Sequence, residues 1–210
     1  TENTGSKLKK GETFSILTTP TKEGFAQKEY LSYLKILAAI QKSPKFKKIF
    51  RELDARFVWE ALPPTLQRSI KKHAESFGWI GHGVDGPKWD EKYYLEILAS
   101  LTRQKANPSQ LIQKTKRELL KTTLKQKQIT KALKIDRRHQ SLFEVARGIV
   151  FTKGYRKDII FHGFWCLEPI HREFGRRTNL ALRQIRYVYP WEYEKVTEEK
   201  EKWSDELNER

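Results

Sequence analysis

The densest chemistry lies in one stretch near the carboxyl end. Lys153, Arg156, Lys157, His162, Arg172, Arg176 and Arg177 follow one another over a few helical turns. Guanidinium forks match phosphate and carboxylate oxygens two at a time, so this cluster reads as an anion pocket. The competing reading is ordinary salt bridging, with Asp158 and Glu173 close by in sequence. His162 and His171 stand nine residues apart, with Glu168 and Glu173 nearby. A metal-binding helix places its ligands three or four residues apart. Glu168 and His171 satisfy that spacing, but Pro169 lies between them, so capping or polar contacts are the better reading and no metal site is assigned. Cys166 sits in the apolar run Phe164-Trp165-Cys166-Leu167, which points to a buried, inert thiol.

A second distinctive segment is the loop from Phe77 to Trp89, dense in Gly and carrying Trp79, His82 and Pro87. The glycines make a helix improbable there, and two Trp indicate a packed, shaped loop. Gly81, Gly83 and Gly86 reproduce the spacing of a dinucleotide fingerprint. No strand precedes them, however, and Pro87-Lys88-Trp89 follows, so no cofactor is inferred. There is no G-x-S-x-G elbow and no Walker loop, and no residue is assigned a catalytic role.

The elements that must position these groups are helical. Ser43-Pro44, Asp90 and Asn107-Pro108 read as helix starts. Apolar residues recur at three- and four-residue steps from Tyr30 to Ile40, from Phe46 to Val58 and from Leu66 to Phe77. A long basic helix begins at Pro108, with Leu111, Ile112, Leu119, Leu120, Leu124, Ile129 and Leu133 as its apolar stripe. A second runs from about Ser141 to Gly175, with Leu142, Val145, Ile149, Ile160, Leu167 and Ile170 among its apolar positions and Pro169 as a bend. The expectation is an all-α, multi-helix domain with a long antiparallel helical hairpin and at most one or two minor short strands. Those strands would be Phe14–Leu17 and Ile185–Tyr189. Residues 1–13 read as a flexible lead and 14–196 as a single helical domain. Within it, 14–106 hold the first helices and the Gly/Trp loop, 107–178 the hairpin and 179–196 an exit segment. Residues 197–210 form an acidic tail.

Composition narrows the function. The 210 residues hold 42 Lys and Arg against 26 Asp and Glu, a net +16. Aromatics at 12%, six Trp among them, supply a core, so the chain is not disordered as a whole. No apolar run approaches the ~18 residues of a membrane span, and the polar start carries no signal-peptide pattern. A single Cys excludes an internal disulfide framework. A cytoplasmic location is expected, and the absence of Met suggests a piece of something larger. From Leu101 to Gln140 twelve Lys and Arg face only Glu118 and Asp136, so 12 − 2 = +10. Lys114, Lys116, Arg117, Lys121, Lys125, Lys127 and Lys131 are the centre of that stripe. It can attract polyanions, nucleic acid included, or be a solvated helix face.

The order of several short motifs resembles the helical middle region of the phosphoenolpyruvate-utilising phosphotransferases, a group that includes phosphoenolpyruvate synthase and rifampicin-phosphorylating dikinases. The matching pieces are Leu17-Thr18-Thr19-Pro20, Leu62-Pro63-Pro64-Thr65-Leu66 and Phe77-Gly78-Trp79-Ile80, then Gly86-Pro87-Lys88-Trp89 with Tyr93-Tyr94-Leu95. Tyr155-Arg156-Lys157, Ile170-His171-Arg172-Glu173-Phe174-Gly175-Arg176 and Ile185-Arg186-Tyr187-Val188-Tyr189-Pro190-Trp191-Glu192 complete the series.

The resemblance implies an ATP-grasp domain before this region and a swivelling phosphohistidine domain after it. In the rifampicin enzymes the helical region forms the acceptor pocket. No Gly-rich ATP loop occurs in these residues, nor a Gly-rich segment ending in Thr-His or Ser-His. ATP and Mg would therefore belong to the other domains, and catalysis by this chain alone is not expected. Arg156, Lys157, Arg172 and Arg176 become anion or domain-docking contacts, with His162 in the same cluster and Trp79 and His82 lining the loop. Two alternatives stay open: a basic module that binds nucleic acid, and a protein-interaction module whose acidic tail docks a basic partner.

Overall fold

The computed structural model describes residues 9–84, 86–198 and 200–209. Among these residues there are twelve α-helices, one 3-10 turn and no strand, so the domain is all-α. No helix is long and apolar enough to cross a membrane.

The first half is a bundle of α2 (Phe25–Lys42), α3 (Pro44–Glu52), α4 (Ala55–Ala61), α5 (Pro64–Phe77) and α7 (Glu91–Arg103). Leu34, Leu37, Ile40, Phe50, Val58, Ile70 and Leu98 are fully buried at its centre. Each such side chain contributes about 1.5–3 kcal/mol by leaving water. The helix starts are capped as their sequences dictate. Ser43 Oγ accepts from Phe46 N–H at 3.4 Å, and Asp90 Oδ1 accepts from Tyr93 N–H at 2.9 Å. Asn107 Oδ1 accepts from Gln110 N–H at 3.1 Å, ahead of Pro108. These caps satisfy amide donors that have no partner inside a helix. The expected single helix from Phe46 to Val58 is two helices. It ends at Glu52 and restarts after Asp54, whose carbonyl accepts from Phe57 N–H at 2.9 Å.

Two long helices follow, α8 (Pro108–Ala132) and α9 (Arg137–Thr178). Asp136 caps α9 through His139 N–H at 3.0 Å. The expected strand Phe14–Leu17 lies instead in a helix, α1 (Lys10–Thr18), which also takes Lys10–Thr13 out of the flexible lead. Residues 1–8 of that lead lie outside the described residues. Tertiary contact makes this helix. Leu17 is buried, and α1 packs against both α8 and α9. Its last carbonyls, which a helix end leaves without donors, are met from both sides. The Gln126 amide of α8 donates to Ile16 O and Thr19 O, both at 2.8 Å, and the Arg147 guanidinium of α9 donates to Leu17 O at 3.0 Å.

A second, smaller core closes the end of α9. Asn179, in the left-handed conformation (φ 59°), turns the chain back into α10 (Leu182–Ile185). Gly175 is required here, because a Cβ would meet Leu180 O at 2.6 Å. Ile185–Tyr189, read as extended, is the end of α10 and a turn. Gln184 Oε1 accepts from Ala181 N–H at 2.7 Å and caps the start of α10, and the turn is closed by Tyr187 N–H donating to Gln184 O at 3.0 Å and Val188 N–H to Ile185 O at 3.1 Å. After the 3-10 turn Pro190–Glu192, α11 (Tyr193–Glu198) and α12 (Lys200–Glu209) carry the acidic tail. Val196 and Leu207 are buried with Leu180, Ile185 and Val188.

Candidate functional site

The site forms where the loop Phe77–Trp89 meets α9. Trp89 N–H donates to Gly78 O at 2.9 Å and closes the loop on itself. Gly81 packs against the Trp89 indole, and a Cβ there would collide with the ring. Trp89 is in turn stacked on Tyr93 at 4.7 Å. Where a loop without helix was expected, one helical turn forms, α6 (Trp79–His82). It leaves His82 buried at the loop's inner edge, with Gly86 N–H donating to His82 O at 2.6 Å.

His82 Nε2 and Glu168 Oε2 share a close hydrogen bond between the loop and α9. Arg172, one turn further along α9, grips the other oxygen, with Nε at 2.8 Å and Nη2 at 2.6 Å from Oε1. Arg186, from the turn after α10, approaches Oε2 at 3.4 Å. One carboxylate thus meets two guanidinium groups and an imidazole. Burial pushes the Glu168 carboxyl up. The hydrogen bonds from His82 and Arg172 outweigh it and hold the group below the usual carboxylate range. His171 is held low by burial and by Arg186, with Glu168 opposing, so its imidazole favours the neutral form. The Tyr193 hydroxyl lies 3.5 Å from its Nε2.

Beside this cluster opens a cleft of about 820 Å³, lined by Lys88, Trp165, Cys166, Pro169 and Arg172 among others. Its cations exceed its one carboxylate, and Trp165, Pro87 and Pro169 give it apolar walls. That combination suits an anionic group attached to an apolar body.

The residues singled out by sequence separate here. His82 and Arg172 meet at the cleft. Trp79 is buried and does not line it, its indole N–H donating to Ser76 O at 3.0 Å and its ring edge-on to His162 at 5.0 Å. His162 stacks on Trp165 at 5.5 Å. Arg176 forks onto Glu173, with two contacts of 2.8 Å, and Arg177 joins them. Those two arginines bring the Glu173 carboxyl down to about 2. Arg156 and Lys157 lie elsewhere, since fifteen or sixteen residues of α-helix put them about 24 Å from Arg172. Lys157 Nζ stands over the Phe161 ring at 5.2 Å.

Cys166 is exposed, not buried as expected, because its side chain opens onto the cleft and not into a core. Its Sγ lies 4.0 Å from His162 Nε2. Among the described residues, no group of three or more His, Cys, Asp or Glu gathers as a metal site. Sequence reasoning did not single out Lys88 or Arg186 as site residues. Arg186 has no local signal, and only the chain reversal at Asn179 returns it to Glu168.

On α8, Lys114, Lys116, Arg117, Lys121, Lys125, Lys127 and Lys131 are all exposed. Lys114, Arg117, Lys121 and Lys125 follow one helix face, and none of the seven pairs with a carboxylate among the described residues. No family model, curated protein or solved structure matches this chain.

Proposed function

We propose that this chain is the helical acceptor-binding or connecting module of a dikinase-like phosphotransferase. Its cleft beside Arg172 receives the anionic end of the acceptor. One observation carries the reading: Lys88, Arg172 and Arg186 belong to three separate segments of the motif series, and they converge on one small site. Lys88 and Arg172 line the cleft, and Arg172 and Arg186 share Glu168. In this role Glu168 is a positioning residue. It fixes the Arg172 guanidinium by a hydrogen bond and an ion-pair contact and is itself fixed by His82, so the cation is oriented before the ligand arrives.

The exit segment supports the connecting half of the proposal. Trp191 is 73% exposed and stacked on Tyr189 at 4.8 Å. An exposed Trp of this kind is what protein interfaces bury. ATP and its metal would be supplied by the other domains. The residues of this chain bind, orient and exclude water.

Calorimetric titration with phosphoenolpyruvate, 1-naphthyl phosphate, ATP and duplex DNA tests the proposal. The expected outcome is saturable binding of 1-naphthyl phosphate that Arg172→Gln and Lys88→Gln both weaken. Heat from DNA alone, falling steeply with salt, would instead favour the second reading. That reading, a basic module for nucleic acid, rests on the seven exposed cations of α8, none of which pairs with a carboxylate among the described residues.

A further inference from the structure

The outer side of α9 is apolar where a solvent-facing helix is normally polar. Leu142, Val145, Ile149, Ile160, Leu167 and Ile170 are each between 45% and 65% exposed. At 3.6 residues per turn these six fall within an arc of about 80° and extend over about 42 Å. Single exposed apolar residues are ordinary, but six aligned on one helix face mark an interaction surface. Gly163 lies in the same arc with open space around it, so a second backbone can approach closely there.

The stripe has a charged centre. Arg156 falls inside the arc, midway between Leu142 and Ile170, and Lys153 flanks it; both are exposed. This selects among occupants. A second copy of the chain, laid parallel in register or antiparallel about the midpoint, would set Arg156 against Arg156 inside an apolar seam. A bilayer would draw the Arg156 base into its apolar layer from the middle of the stripe, whereas membrane-lying helices carry their cations at the edges. A helix with an acidic residue at the centre of its own apolar stripe meets both features at once.

We propose that the outer face of α9 docks an amphipathic helix of another protein that carries Asp or Glu at the middle of its apolar stripe. The surface is separate from the cleft, and the proposal stands whether or not the cleft binds an acceptor.

The test uses the full chain and two synthetic fluorescein-labelled helices as long as the stripe. Both carry Leu along one face, one with Glu and the other with Lys at the centre. Fluorescence anisotropy at about 0.15 M ionic strength reads binding. The Glu helix is expected to bind saturably and at least ~10-fold more tightly than the Lys helix. Arg156→Glu should reverse that preference, and Ile149→Gln should weaken both. These exposed positions leave the fold intact, which circular dichroism verifies. No saturable binding, or equal binding of the two helices, overturns the proposal. So does wild-type flotation with phosphatidylserine vesicles that Ile149→Gln abolishes, which would assign the face to a membrane. A dimer in sedimentation that Arg156→Glu leaves unchanged would assign it to a second copy.

Discussion

Two His–Glu pairs sit in different settings, and the contrast separates support from function. His73 and Glu29 are sealed inside the bundle. His73 Nδ1 meets Ser32 Oγ at 3.0 Å, and the ring packs edge-on against Tyr94 at 4.4 Å. Glu29 Oε1 is 3.5 Å from Nε2, a long contact outside hydrogen-bond geometry. Burial, and then Glu29, pushes the Tyr94 hydroxyl's ionisation far up. The Ser-His-Glu order looks like a hydrolytic triad. His73 and Glu29 lie in the buried core of the bundle, so the arrangement is polar packing. His82 and Glu168 have the same residue types at the rim of a cleft, with Arg172 and Arg186 added. Access and surplus positive charge, not the pair itself, make the second the candidate site.

The largest expected effect comes from breaking the sealed pair. His73→Ala should destabilise the fold by about 3 kcal/mol, because it leaves a cavity beside Tyr94 and removes the hydrogen-bond partner of Ser32. Denaturant titration measures it, and anion affinity at matched folding should not change. Gly81→Ala comes next. A methyl group forced into the Trp89 ring should cost about 2 kcal/mol and loosen the loop that holds His82, weakening the cleft as well.

Arg172→Gln inverts the pattern. The loss of 1-naphthyl phosphate affinity should be ~10-fold, about 1.4 kcal/mol, with the melting temperature nearly unchanged. His82 and Arg186 still hold Glu168 Oε2, and Oε1 turns to the solvent of the cleft. A large thermal loss without an affinity change would erase the contrast between the pairs.

The smallest effect is the acid response. Glu168 and Glu173 both titrate lower in the folded chain than an ordinary carboxylate, near 4.3 unfolded. Their contribution to stability is therefore complete above that value and is lost as pH falls through the folded values, which for Glu173 reaches about 2. Arg176→Gln should flatten the fall in denaturation midpoint below about pH 5, and high salt should do the same.

Much of this fold was legible in the sequence, for local reasons. Ser43, Asp90 and Asn107 cap their helices with side chains next to the helix start, so nearest-neighbour chemistry suffices. The α1 helix was not legible, because its end is completed by Gln126 and Arg147, over a hundred residues away. Apolar periodicity gave the helices but not their partners. Leu120 and Leu124 of α8, and the outer stripe of α9, repeat like core positions yet face solvent. Cys166 was misjudged on the same ground. For the site, Arg172 and His82 could be singled out by type. Their meeting on Glu168, and the arrival of Arg186, depend on a loop shaped by Gly81 and a reversal at Asn179. Arg156 and Lys157 were singled out by type, and their separation along α9 places them away from the cleft.

The most direct test of the central claim is the arginine Nε–Hε NMR spectrum of the full chain titrated with 1-naphthyl phosphate. Assignment by Arg→Lys variants identifies each resonance. The account predicts that Arg172 and Arg186 shift together along one saturable curve while Arg117 of α8 stays fixed. Shifts at Arg117 with Arg172 unmoved would contradict it, and would place the anion on the basic helix instead.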